Sequence, residues 1–309
     1  MTPHRDVLRW LRAADPSTAY LVARDLSGRD DPVLRSEIAV SGVGAALLAA
    51  RRPDGHWGSG FYQPKWISTH YTLLELAWLG LDPHEPRAAS SVRMVLESPR
   101  CDDGGLSAGV PTSSSDVCIN GMALTYCSHF GAETSLLAGL LDMVLAERMT
   151  DGGFNCRSTR SGATHSSVHT TTSAIEGFTA YLAAGHVHRA AEVAEARSGA
   201  VEFLLAHRLF RSHRTGEVIR PEFTRLHHPA RWRFDVLRGL DVVTDAGAVE
   251  DDRLADGLEV LRRRRRADGR WCGASGYPGQ THVDYPAPRE PNPWITVAAL
   301  RILRRTGVG

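Results

Sequence analysis

Apolar residues along this chain recur at helical spacings. The segments "PVLRSEIAVSGVGAALLAA" from Pro32 and "ETSLLAGLLDMVLAERM" from Glu133 place them at i, i+3, i+4 and i+7, the period of a helix with one buried face. Alternating with these are segments such as "THYTLLELAWLG" from Thr69, apolar nearly all round, as expected of a helix enclosed on every side. Between an amphipathic segment and the apolar one that follows stands a turn centred on glycine and a loop rich in Gly, Ser and Pro. No strand pattern of comparable length competes.

The order of turn, loop and apolar helix repeats along the chain. It appears as "RRPDGHWGSGFYQPKWISTHYTLLELAWLG" from Arg51, "RCDDGGLSAGVPTSSSDVCINGMALTYCSHFG" from Arg100 and "RMTDGGFNCRSTRSGATHSSVHTTTSAIEGF" from Arg148, and again from His213 and Arg266. The turn glycines are Gly55, Gly104, Gly152, Gly216 and Gly269, an interval of roughly fifty residues that suits a repeated helical hairpin. The amphipathic helices are expected to form an outer layer and the apolar ones an inner layer. The predicted fold is therefore all-α, an (α/α)5-6 toroid in a single domain over 1–309, with an N-terminal helical pair in 1–31 and five hairpin repeats in 32–309. An open solenoid of the same hairpins is the alternative, because repeats alone do not close a superhelix. In either arrangement the loops and inner-helix starts share one end, where a rigid scaffold usually carries its chemistry.

Composition narrows the partners. The 309 residues are 42% hydrophobic and 23% charged, with a net charge of +1 and the two signs interspersed, so neither nucleic acid nor a charged membrane surface is expected to bind. The run Arg262 to Arg266 reads as the exposed end of a helix, where cations complement the dipole. The chain shows no run of 18 apolar residues and no N-terminal apolar core of a signal peptide, which leads to the expectation of a cytoplasmic chain without a membrane span. Five cysteines, Cys101, Cys118, Cys127, Cys156 and Cys272, form no Cys-x-x-Cys spacing and are expected as thiols or ligands, not disulfides.

Alignment on the inner-helix starts gives "KWISTHY" at 65–71, "SDVCIN" at 115–120, "SVHTTT" at 167–172, "RWRFD" at 231–235 and "NPWIT" at 292–296. Asp116, Cys118 and His169 then stand at equivalent depth on neighbouring hairpins. One oxygen, one sulfur and one nitrogen ligand with a vacant fourth position describe a catalytic zinc site. Residues i and i+2 diverge by about 200° on a helix, so Asp116 and Cys118 meet one ion only if Asp116 is still in loop geometry. Each also has a plainer reading: Asp116 as an N-cap, Cys118 as a small buried apolar group, and His169 as a hydrogen-bonded histidine.

The repeats, with "DGG" turns leading to an inner helix, resemble the α/α-toroid superfamily of protein prenyltransferase β-subunits and squalene-hopene-type terpene cyclases over residues 40–305. The prenyltransferases hold zinc with an Asp-x-Cys pair opening one inner helix and a His-Thr opening the next. Here "DGGL…DVCINGMALTY" and "DGGF…VHTTTSAIEGF" follow in that order, and the resemblance implies Zn²⁺ on Asp116, Cys118 and His169. Departures are informative. The loop "SAGVPTSSS" ahead of Asp116 has no Arg or Lys, and Ile119 follows Cys118 where the prenyltransferases carry Tyr, so their diphosphate clamp is missing. The Asp-x-Asp-Asp acid of the terpene cyclases has no counterpart, the nearest run being "VEDD" on a predicted outer helix, and no Asp-Asp-x-x-Asp occurs.

These residues predict a zinc-dependent enzyme that activates a thiol or amine of a small molecule for alkyl transfer or intramolecular cyclisation, in specialised metabolism and without a prenyl diphosphate. A zinc-hydroxide hydrolase, a terpene-cyclase-like enzyme and a non-catalytic scaffold with a structural metal are the alternatives. Acid, base or amine roles fall by position on Lys65, His70, His165 and Asp235. Substrate contacts fall on Tyr62, Trp66, Arg157, Arg160, Arg231, Trp232 and Trp294. His227 and His228 join Arg231 and Arg233 in a cationic cluster, and His282 with Asp284 forms a further candidate ligand pair.

Overall fold

The computed structural model describes residues 5–308, apart from the side chains of Thr159 and Arg160. Its helices are α1 Arg5–Ala14, α2 Pro16–Leu21, α3 Pro32–Glu37, α4 Gly42–Ala49, α5 Thr69–Trp78, α6 Pro86–Leu96, α7 Val117–His129, α8 Thr134–Ala146, α9 Arg157–Ser161, α10 Val168–Ala183, α11 Ala190–Ala206, α12 Val236–Asp245, α13 Ala255–Arg264 and α14 Pro293–Thr306, with a π-helical turn Val22–Leu26 after α2. The described residues contain no strand, only isolated bridges at Arg211–Val218 and Cys272–Pro291. No helix among them is long and apolar enough to cross a membrane. They fall into two compact units, one drawn from Met1–Ala50, Trp78–Asp82 and Ala206–Gly309, the other from Arg51–Ala77 and Pro83–Leu205.

In the second unit the layering follows from the sequence pattern. Helices α6, α8 and α11 bury one stripe each, for example Leu137, Leu140, Leu141 and Val144 on α8. By contrast α5, α7 and α10 are buried on nearly all sides. Helices α7 and α10 cross with their backbones in contact: a Cβ at Gly121 would lie 2.7 Å from the Ser173 carbonyl oxygen. Only glycine allows so close an approach.

The Asp-Gly turns are the repeat's anchors. Asp54, Asp103, Asp151 and Asp268 each accept the backbone N–H two residues on, at 3.0, 2.9, 3.3 and 3.0 Å, closing an Asx-turn. Asp103 and Asp151 turn their other oxygen to the N–H of Ser115 and Ser166, just ahead of the inner helix. A second clamp comes from the inner helix itself. Thr69, Asn120, Thr171 and Thr296 accept the N–H of Trp57, Leu106, Phe154 and Trp271 at 3.0, 2.8, 3.0 and 3.1 Å. In each case the donor is the second residue after the turn glycine. Counting back two residues from the clamp reaches Ile67, Cys118, His169 and Trp294, so Cys118 and His169 do occupy one repeat position.

The first unit departs from expectation in two places. The helix read from Pro32 onward is broken into α3 and α4. Gly42, at φ +68°, opens α4 with the Val43 N–H on the Asp15 carboxylate at 2.9 Å, and a Cβ at Gly42 would stand 2.3 Å from that carboxylate. The "VEDD" run, expected on an outer helix, lies ahead of α13, with Asp251 capping the short 3-10 turn Asp252–Leu254. The arginine run does end α13, where Arg262 and Arg263 both reach Glu259. Between α12, α14 and the π-helical turn, Arg301 donates to Asp25 at 2.5 Å and to Asp241 at 2.9 Å. Burial alone would raise the Asp25 carboxyl, but Arg301 and Arg24 beside it hold it down at about 2.

Candidate functional site

The chemistry-bearing residues of the second unit meet where α7 and α10 begin. Asp116 stands at the N-cap of α7 with extended backbone, φ −86° and ψ 122°, the loop geometry that an Asp-x-Cys ligand pair requires. Its side chain makes no capping hydrogen bond, so the plain N-cap reading does not describe it. Cys118 is the second residue of α7, and its backbone N–H points at the Sγ of Cys156, 3.1 Å away. The Thr170 hydroxyl, in the first turn of α10, lies 3.5 Å from the same sulfur.

The two neighbouring cysteine side chains shift each other in opposite directions. The Cys118 side chain, opposed by burial, together with the Thr170 hydroxyl and the Cys118 N–H, pulls the Cys156 thiol below its ordinary value. The Cys156 side chain, and then burial, pushes the Cys118 thiol well up. Cys156 is the more acidic thiol of the pair and Cys118 the less acidic one. The charge of Asp116 acts upward on both. A sulfur at a helix start, held by a main-chain N–H and a hydroxyl, is the environment that makes a cysteine nucleophilic.

Tyr62 borders this group. Burial raises its phenol, the charges of Cys118, Asp116 and Cys156 raise it further, and its OH lies 3.0 Å from that of Tyr71. Lys65 is exposed, its ammonium 5.7 Å from the Tyr62 ring centre. Trp66 is buried with its ring edge-on to Tyr71, 4.9 Å between centroids. His70 is fully buried, its Nδ1 3.3 Å from the Tyr126 hydroxyl and its Nε2 without a hydrogen-bond partner. Burial lowers it to about 3. His70, a candidate base by position, is therefore a neutral imidazole packed among Phe61, Tyr71 and Tyr126.

Three further expectations fall outside this group. His165 is exposed in the loop, where its carbonyl accepts the Asn155 amide at 2.7 Å. Arg157 is exposed at the start of α9, and the side chain of Arg160 lies outside the described residues. His169 is half-buried on α10, next to Thr170. Among the described residues no three His, Cys, Asp or Glu side chains are grouped closely enough to hold a metal ion. The Cys156 sulfur lies beside Cys118, but Asp116, Cys118 and His169 are not gathered as a three-ligand set.

The remaining candidates belong to the first unit. Asp235 caps α12, accepting the Arg238 N–H at 3.0 Å; its other oxygen accepts the His227 N–H at 2.9 Å and lies 3.2 Å from His227 Nδ1. It is a buried orienting group for His227, which stacks on Tyr277 at 4.7 Å. Arg231 is buried at φ +58°. Trp232 lies under the Arg233 guanidinium at 4.9 Å. Trp294 stacks on His228 at 5.0 Å and donates to Ser17 at 3.0 Å. Burial, with Arg231 nearby, lowers His228 to about 3, so this histidine adds no charge to the expected cationic cluster. His282 and Asp284 belong to no metal-binding group.

Sequence reasoning named Asp116 and Cys118 but passed over Cys156. The only available signal was a cysteine four residues after the turn glycine Gly152, in a loop with no period to mark it.

No protein-family model matches the chain, and no curated protein matches its sequence. Several solved structures do match in fold. A glycosyl hydrolase family 88 protein from Bacteroides vulgatus superposes with a TM-score of 0.57 at 14% identity, covering 97% of each chain. A polysaccharide lyase does so at 0.55 and 11% identity, covering 98% of this chain and 96% of its own. A possible member of the GH105 family from Salmonella enterica follows at 0.50 and 12% identity, covering 94% of this chain and 81% of its own. At such identities the likeness is one of fold: the chain is all-α, of the α/α-toroid class.

Proposed function

We propose that the chain is an enzyme acting on a small molecule at the start of α7 and α10, with Cys156 as its nucleophilic sulfur. The observation that carries this reading is the convergence of the Cys118 N–H and the Thr170 hydroxyl on one sulfur. A sulfur so held attacks an electrophilic carbon, whose leaving group departs with the bonding pair. Passing that carbon to a second nucleophile completes an alkyl transfer, or a cyclisation when both groups belong to one molecule. The loop ahead of Asp116 offers no Arg or Lys for a diphosphate, so the proposed substrate is not a prenyl diphosphate. The similar structures carry the names of carbohydrate-active proteins, and the half-buried Tyr62 beside the sulfurs is a face on which a sugar ring can stack, so carbohydrate derivatives belong in the substrate screen.

A second reading keeps the expected zinc, supported by the nearness of Cys118 to the Cys156 sulfur. Cys118 and Cys156, with Asp116 and then His169, are the donors Zn²⁺ would take, and bound zinc would keep a thiol or amine substrate deprotonated. One experiment separates the readings: zinc content of the purified reduced chain, together with mapping of iodoacetamide alkylation. A zinc-free protein whose Cys156 alkylates first supports the thiolate enzyme. One zinc per chain, with Cys156 protected until a chelator is added, supports the metal site. Zinc-free protein with an unreactive Cys156 would sink both.

A further inference from the structure

We infer that Cys118 and Cys156 are a reversible dithiol–disulfide pair, a site of oxidative modification by hydroperoxides that masks the sulfur of the proposed active centre. The inference rests on the thiol centre proposed above and adds a chemistry which that centre does not require.

The geometry singles this pair out. All five cysteines are thiols. Cys127 is fully buried on α7. Cys101 lies in its own turn, its sulfur accepting the Thr112 N–H at 3.4 Å. Cys272 donates to the Arg289 carbonyl at 3.0 Å. The Cys156 sulfur instead lies against Cys118, accepting its backbone N–H at 3.1 Å across 38 positions of sequence. Both are partly exposed, so a small oxidant has access.

The supports of the two residues also differ. Cys118 is fixed in the first turn of a long helix, whereas Cys156 precedes the five-residue α9, which ends at Gly162 with φ +64°. Closing an S–S bond of about 2.05 Å would draw on movement of the short segment that carries Cys156.

The steps balance with a hydroperoxide as oxidant. The Cys156 thiolate attacks one oxygen of hydrogen peroxide, the O–O bond breaks, and hydroxide leaves, giving a sulfenic acid. The Cys118 thiol then gives up its proton, its sulfur attacks the Cys156 sulfur, and hydroxide departs from that sulfur. With the protons returned, two thiols and one hydrogen peroxide become one disulfide and two waters. A dithiol reductant reverses the change by exchange.

The test counts thiols. The full chain is treated with one equivalent of hydrogen peroxide, denatured, alkylated with iodoacetamide and weighed, with peptide mapping of any cross-link. The expected result is a fall from five to three alkylated cysteines, one cross-linked pair containing Cys118 and Cys156, and return to five after dithiothreitol. In Cys118→Ser the cross-link is lost and Cys156 is recovered as an oxygenated acid, while Cys156→Ser keeps its four remaining thiols; circular dichroism confirms that both variants are folded. Five alkylated cysteines after peroxide, or a cross-link through any other pair, would overturn the inference. A reduced chain whose Cys156 alkylates first but forms no cross-link sinks this inference alone, while a cross-linking chain with a slow Cys156 sinks the nucleophile reading alone.

Discussion

Gly177 of α10 faces Gly121 of α7 so closely that a Cβ at position 177 would stand 2.5 Å from the Gly121 carbonyl oxygen. The crossing fixes how far apart the two helices begin, and so places the Thr170 hydroxyl and the Cys118 N–H around one sulfur. Gly177→Ala is expected to lower stability by about 1–3 kcal/mol through overpacking, read from urea unfolding. The same variant is expected to slow alkylation of Cys156, because its donors are spread apart. A variant as stable as the parent would show that the crossing is not tight.

Alkylation of Cys156 should report its ionisation. The Cys156 thiol lies below its ordinary value because of the Cys118 side chain and, after burial, the Thr170 hydroxyl and the main chain. The iodoacetamide rate is expected to reach its plateau at a lower pH than that of an ordinary thiol. In Cys118→Ala or Thr170→Val the midpoint should move up. A parent midpoint at the value of an ordinary thiol contradicts the assignment.

His70 links folding to pH. It is neutral in the fold, lowered from 6.5 to about 3 by burial. A group with a depressed folded value contributes stability that is complete above its unfolded value and lost as pH falls toward the folded one. Urea midpoints should therefore decline from about pH 6.5 downward, a slope to which His228 also contributes. In His70→Phe the slope should be shallower, and an unchanged slope would mean that His70 is protonated in the fold.

Arg301 holds two carboxylates in the other unit. Replacing it by Leu leaves Asp25 buried beside one cation fewer, and removing one partner of a buried ion pair typically costs about 3–5 kcal/mol. The Asp25 carboxyl is depressed from 3.8 to about 2, so its share of stability is present above pH 4 and lost as pH falls through 2. Acid unfolding of Arg301→Leu is expected to begin at higher pH than in the parent.

Much of this was legible in the sequence, and the failures have physical causes. The Asp-Gly turns could be read because Asp closes a turn on its own backbone, a local act that needs no tertiary partner. The break before Gly42 could not, since the apolar period runs through it and the reason lies on Asp15, far back in the chain. Cys118 and His169 were found because they stand at one repeat position. Cys156 sits in a loop, where no periodicity marks a residue. His70 is a different case: the apolar pattern that made α5 an inner helix already implied its burial, and assigning it a base role set that pattern aside.

The clamp from each inner helix to its turn has a consequence for how this protein can change. The same hydrogen bond spans 12 residues between Trp57 and Thr69, 14 between Leu106 and Asn120, 17 between Phe154 and Thr171, and 25 between Trp271 and Thr296. Its ends stay fixed while the span between them doubles. Each span is thus an interchangeable cassette: a loop grafted between the two ends of a clamp inherits a ready-made frame, and new chemistry can be installed there without redesigning a single helix.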